Sequence, residues 1–274
     1  MRNDIFRRVV GWMGWNRTSG VLGGGFLLLL LLIGYIWWPL AADYLATYNP
    51  RYPWWVQVDW LLVGIFLTMS LLITSGPNLR RDLPILVVGL AGGTVIETWG
   101  TQSGLWAYFT GEQPPLWILP AWPIASLTIE RLIRILDEKL RRIPASIFDW
   151  FYAPVLGVFG VLLILFVQPA MNDALTWAAM TLVAFLTLTQ RDRRRAVLIF
   201  AAGSALGFFL ELWGTTRACW VYYTHQTPPL FAVLAHGMAA VAFDRSKQAL
   251  GWAILAGLRW FNRRAAADSL PSGK

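Results

Sequence analysis

Apolar residues in this chain fall into long unbroken runs, not into an alternating or amphipathic pattern. The runs cover residues 21–40, with six consecutive leucines, then 60–75, 84–99, 116–135, 147–167, 175–189, 196–213 and 230–243. About 20 apolar residues cross a bilayer as a helix, so this spacing predicts eight spans. A secretory signal is the rival reading of the first run, because Ala41-Ala42 follow it, but its length favours a span. Pro84 fits the first turn of the third span, and Pro120 and Pro123 predict a kink in the fourth. A ninth apolar stretch, 249–261, ends in Arg263-Arg264 and reads as an interfacial helix or a further crossing, before a disordered tail.

Polar punctuation orients the runs. With residues 1–20 as a basic cytoplasmic segment, 21 of the 23 Lys and Arg fall on the inner side, and only Arg51 and Arg217 fall outside. Basic residues are retained on the cytoplasmic side, so both termini are expected there, in a membrane of the bacterial inner type.

A repeat lies under this pattern. Residues 97–116 recur at 211–230, at a constant offset of 114 with 10 of 20 positions identical: Glu97/Glu211, Trp99/Trp213, Gly100/Gly214, Thr101/Thr215, Trp106/Trp220, Tyr108/Tyr222, Thr110/Thr224, Pro114/Pro228, Pro115/Pro229 and Leu116/Leu230. Arg81/Arg195, Gly89/Gly203 and Gly93/Gly207 keep the register. The expected fold is therefore all-α and polytopic, with two tandem four-helix repeats, 21–142 and 143–248, followed by 249–274. Each repeat has an even number of spans, so an axis along the membrane normal relates them.

Composition narrows the chemistry. The chain is 57% apolar and 14% charged. The net charge of +8 is scattered between apolar runs, which argues against nucleic acid. One cysteine, Cys219, and two histidines, His225 and His236, give no metal-ligand pattern, and no nucleotide-binding or serine-hydrolase motif is present. Neither cofactor nor metal is expected.

The candidate catalytic residues are Glu97 and Glu211, near the outer ends of the third and seventh spans. A carboxyl group at such depth is unfavourable unless paired or facing a cavity, and is a functional candidate by default. Trp99, Trp106, Tyr108, Trp213, Trp220 and Tyr222 surround the pair in sequence and are the candidate substrate-binding residues. An acid beside electron-rich rings suits protonation of a carbon–carbon double bond, with the rings stabilising the cation. His236 joins the set as a proton partner for Glu211, against the alternative of a buried histidine bonded to a backbone carbonyl. Structural readings stand beside these. The aromatics fit an interfacial belt, Trp-Gly-Thr fits a helix stop with glycine as the cap, Pro-Pro-Leu fits a helix start, and the glutamates fit caps of outer hairpins. Glu130-Arg131 and Asp244-Arg245, repeated at the inner ends of spans four and eight, read as interfacial ion pairs.

Glu97-x-x-Gly100-x-x-Ser103-Gly104-x-x-x-Tyr108, followed by Pro115-Leu116 and a turn from Pro120 to Trp122, resembles the integral-membrane carotenoid-biosynthesis proteins, which include bacterioruberin-hydratase-like and lycopene-cyclase-like members. The resemblance covers about 30 residues per repeat, with Ala218 at the second position of Gly104. It implies an eight-span, cofactor-poor enzyme acting on an isoprenoid by acid chemistry, as a hydratase-type lyase or a cyclase-type isomerase. The alternatives are a carrier for lipid, quinone or pigment, and a tryptophan-rich scaffold subunit of a membrane complex or oligomer.

Overall fold

A computed structural model of the chain describes Gly11 and residues 13–268. The rest of the expected N-terminal basic segment and residues 269–274 of the expected tail lie outside the described residues. The architecture is an all-α bundle with one two-stranded ladder. The helices are α1 (Arg17–Ile36), α2 (Trp38–Ala46), α3 (Trp60–Thr74), α4 (Leu79–Gln102), α5 (Ala121–Lys139), α6 (Ala145–Val167), α7 (Ala174–Leu188), α8 (Arg193–Thr216) and α9 (Leu230–Asp268). Strands β1 (Trp106–Tyr108) and β2 (Trp220–Tyr222) form the ladder. Among the described residues, four segments are long and apolar enough to cross a membrane: Arg17–Ile36, Leu79–Gln102, Ala145–Ala170 and Arg193–Thr216. Helices α3 and α7 are apolar but shorter.

The offset of 114 reappears in the element bounds. It relates α3 to α7, α4 to α8 and β1 to β2 without a residue of slippage. The caps follow it too. Asp59 and Asp173 cap α3 and α7, and Asn78 and Asp192 cap α4 and α8, each accepting a backbone N–H in the first turn. The packing is matched under exchange of halves: α4 lies on α5 as α8 lies on α9, α5 meets α8 as α9 meets α4, and α3 touches α5 and α8 as α7 touches α9 and α4. The matched packing stops at three helices per half. Helix α1 packs on α3, whereas α6 packs on α8 and α9. Their connections explain the difference. A long segment including α2 follows α1, and a short turn, Gln168–Ala170, tethers α6 to α7.

Several expected boundaries move. The first apolar run is split at Trp37, because Pro39 in the first turn of α2 cannot donate to a continuing helix. Helix α5 starts at Ala121 instead of 116. Pro120 lacks the N–H that the Leu116 carbonyl would accept, so the helix starts late, and Pro123 falls in its first turn. The second copy has Leu234 there, and α9 starts directly at Leu230. Residues 249–261 continue α9 without interruption.

At the N-terminal end of α4 the expected ion pairs are replaced by others, most of them between helices. Arg131 holds Asp82 through two hydrogen bonds of 2.9 and 2.5 Å. Glu130 accepts from Arg195 at 2.7 Å, and Asp244 takes Arg195 at 3.1 Å and Lys247 at 2.9 Å. Adjacent residues on a helix point about 100° apart, so Glu130 and Arg131 cannot face each other. Arg245 instead donates to Thr189 and lies over Trp252.

Candidate functional site

The site begins with the C-terminal turns of α4 and α8. Glu97 and Glu211 lie inside these helices, not in surface hairpins, and each is 3% exposed. After each helix the chain doubles back, with Leu105 N–H on the Gly100 carbonyl and Cys219 N–H on the Gly214 carbonyl, both at 2.9 Å. Gly104 and Ala218 make that reversal with φ of 67° and 53°. The following strands do not fold into separate hairpins. They pair antiparallel with each other, in the register Trp106↔Tyr222, Ala107↔Val221 and Tyr108↔Trp220.

This ladder aims side chains back at the carboxylates. Glu97 Oε2 accepts from Trp106 Nε1 at 3.1 Å and from Tyr108 Oη at 3.0 Å, while Oε1 accepts from Trp122 Nε1 at 3.0 Å. Glu211 Oε2 accepts from Trp220 Nε1, Oε1 accepts from Tyr222 Oη, and His236 Nε2 lies against the same Oε1, all at 2.9 Å. Every partner of Glu97 has its counterpart 114 residues on. Burial, with the neighbouring carboxylates next, pushes the phenols of Tyr108 and Tyr222 well above their ordinary range, so both keep the proton that they share.

The rings close the site across the halves. Trp106 and Tyr222 approach at 5.8 Å and Tyr108 and Trp220 at 5.9 Å, both tilted by 54°. Trp122 stacks on His236 at 5.5 Å and 18°. Both carboxyl groups line one cavity of about 450 Å³, within the range of small-molecule sites. Its walls come from α1 and α3–α9 and run along the bundle as far as Phe243 and Ser246. Apart from Ser246, every charged or hydroxyl-bearing side chain in the wall belongs to the two glutamate clusters.

Gly100 and Gly214 are therefore not helix caps, since both helices continue past them. A Cβ at Gly100 would overlap the Trp106 ring, and one at Gly214 the Trp220 ring. Gly93 and Gly207 likewise leave room for Trp122 and His236. Gly100→Ala should destabilise the fold by about 1–3 kcal/mol, as overpacking does. It should also pull Trp106 off Glu97, read as a change in indole fluorescence absent from Gly157→Ala, where a Cβ on the helical backbone of α6 meets nothing within 4 Å.

Comparison of the chain with family models, with curated proteins and with solved structures finds no match. The reading of the site therefore rests on its own geometry.

All the residues singled out from the sequence, namely Glu97, Glu211, Trp99, Trp106, Tyr108, Trp213, Trp220, Tyr222 and His236, line the one cavity. Two of them face it without touching a glutamate. Trp99 donates to Thr176 at 3.1 Å, and Trp213 donates to Asp59 at 2.9 Å and stacks on Trp37. His236 meets Glu211 and not a backbone carbonyl. Trp122 is the residue that sequence reasoning passed over. The signal was present, because the repeat register sets it opposite His236. Among the described residues no cluster of His, Cys, Asp and Glu is arranged to hold a metal ion.

Proposed function

We propose that this chain is a membrane-embedded enzyme that carries out acid–base chemistry on the carbon–carbon double bonds of an isoprenoid, of the carotenoid class. The observation that carries the reading is the pair of buried carboxyl groups, each oriented by two N–H or O–H donors and one further ring nitrogen, at one apolar cavity. A carboxylic acid gives its proton to one alkene carbon, and the carbon beside it becomes cationic. The second carboxylate and the faces of the surrounding tryptophans stabilise that cation. Water then adds and returns a proton to the carboxylate, which is hydration. Alternatively a neighbouring carbon loses a proton, which is isomerisation or cyclisation. The chemistry uses only this chain's side chains and water.

The proposed setting is a bacterial inner membrane, with about eight crossing helices in two tandem halves related by an axis along the membrane normal and with both termini cytoplasmic. Helices α4 and α8 both run toward the paired strands, which supports a common outer side for the two glutamates. Leu27, Leu28, Leu67, Ile164, Phe185 and Leu188 are large, apolar and exposed, as lipid-facing residues are. Cysteines placed at Gln102 and Gln226 should react with an impermeant reagent from outside, and one at Arg142 only after permeabilisation. The native Cys219 is 1% exposed, and burial pushes its thiol up to about 12, so it adds little background. Reaction at Arg142 alone would overturn the orientation.

The reach of the cavity to Phe243 and Ser246 favours a second reading, a carrier for lipid, quinone or pigment. Expression in a host that accumulates an acyclic carotenoid, with mass spectrometry of the extracted pigment, separates the two. A product heavier by one water, or an isomer of unchanged mass, is the expected result. Unaltered pigment that copurifies with the protein supports the carrier.

A further inference from the structure

The two glutamate clusters match partner for partner except at one position, where Trp122 serves Glu97 and His236 serves Glu211. The two side chains differ in what they do with a proton. An indole N–H donates a hydrogen bond and neither accepts one nor gives up its proton in water. An imidazole does both near neutral pH. The matched placement leaves the chemistry of the ring nitrogen as the difference that counts: Trp122 and His236 lie at 3.0 and 2.9 Å from their carboxylates, on equivalent turns of α5 and α9, each facing a glycine that makes room for it.

We infer that the halves have divided the work, with the Glu211–His236 dyad as the proton-exchanging half and Glu97 as a fixed anion that balances the developing cation. The inference deepens the reading of the site as an acid–base centre and rests on it. His236 Nε2–H returns a proton to Glu211 Oε1. The Glu211 carboxyl passes it to a substrate carbon. The proton released when water adds, or when a neighbouring carbon is deprotonated, goes back to the dyad, so that nothing is consumed beyond the substrate and, for hydration, one water. Glu97 takes no part in the transfer, because two indoles and the Tyr108 hydroxyl occupy its oxygens as donors. His236 acts through Glu211 and is a positioning and relay residue. The titratable groups around it are Glu211 on α8 and Tyr222 on β2, which shares Oε1, and, beyond the Trp122 ring stacked on it, Glu97 on α4 with Tyr108 on β1.

The chain has two histidines, so His225→Asn leaves His236 as its single imidazole. His225 sits at φ 54°, a conformation that asparagine tolerates. Protein labelled with ¹⁵N-histidine in this background, in detergent and without substrate, gives the Nε2 resonance of His236, and with it the hydrogen bond to Glu211, directly. Glu211→Gln removes the oxygen that faces Nε2 and should shift that resonance, whereas Glu97→Gln should leave it in place. Equal shifts from the two variants, or no shift from Glu211→Gln, overturn the division. The double exchange Trp122→His with His236→Trp should transfer the sensitivity to Glu97→Gln, and retention of sensitivity to Glu211→Gln also overturns it. If the exchange does not fold, the two glutamine variants decide. Because no polyene is present, failure here is distinct from failure of the proposed reaction, which the pigment assay reads alone.

Discussion

Glu211→Gln should abolish conversion of the polyene in a protein that stays folded, whereas Glu97→Gln should impair both conversion and stability. Loss of a general acid lowers a rate by about 10²–10⁴-fold, and an amide cannot replace that proton. The difference in stability follows from the partners. A glutamine at 211 can turn its amide nitrogen toward the side of Oε1, where the Tyr222 hydroxyl can accept, as can His236 Nε2 in the tautomer that carries its proton on Nδ1, while its oxygen still takes Trp220. A glutamine at 97 has no such orientation. Trp122 donates to one carboxylate oxygen and Trp106 to the other, so an amide nitrogen on either side meets an indole N–H. A buried donor left without a partner destabilises by about 1–3 kcal/mol. Thermal unfolding in detergent, run beside the pigment assay, tests both halves. Full activity in both variants would remove the carboxyl groups from the chemistry and leave them as a structural clamp.

The largest loss of stability is expected far from that site. Asp82 and Arg131 are 1% and 2% exposed and grip each other through two hydrogen bonds. Asp82→Ala would strand a buried guanidinium, a loss of about 3–5 kcal/mol. The double replacement Asp82→Leu with Arg131→Met removes both charges and should recover most of that loss, because a packed apolar pair often equals a buried ion pair. Asp82 and Glu97 are separated by about 22 Å along α4, at about 1.5 Å of rise per residue, so surviving protein should convert pigment normally. A double variant as unstable as the single one would show that Arg131 is held by more than Asp82.

How much of this was legible depends on how local each feature is. The glutamates, their aromatic neighbours and the glycines that make room were readable, because the repeat marks them at a fixed offset. The bounds of α3, α4, α7 and α8 came close for a related reason: these helices start directly after Asp59, Asn78, Asp173 and Asp192, which are good N-caps. The pairing of β1 with β2 was hidden. Three-residue strands carry almost no periodic signal, and their partners lie more than a hundred residues apart. The salt bridges were misread for the same reason: the sequence sets Glu130 beside Arg131, while the fold turns Glu130 to Arg195 and Arg131 to Asp82. The break at Trp37 depended on a single proline in an otherwise featureless run of leucines. Trp122 went unnoticed because an indole draws attention as packing, and its N–H matters only once Glu97 is in front of it.

The ladder register has a consequence for descent. Trp106 meets Tyr222 and Tyr108 meets Trp220, so exchanging the halves returns the same pairs about Ala107 and Val221. That is the self-complementarity of an isologous contact between identical chains. A half-length ancestor with one such strand would leave its strand edge unpaired, and two copies meeting there would satisfy it. On this view joining the copies into one gene did not create the paired strands. It freed them from having to be the same, and a tryptophan in one half opposite a histidine in the other became available only then.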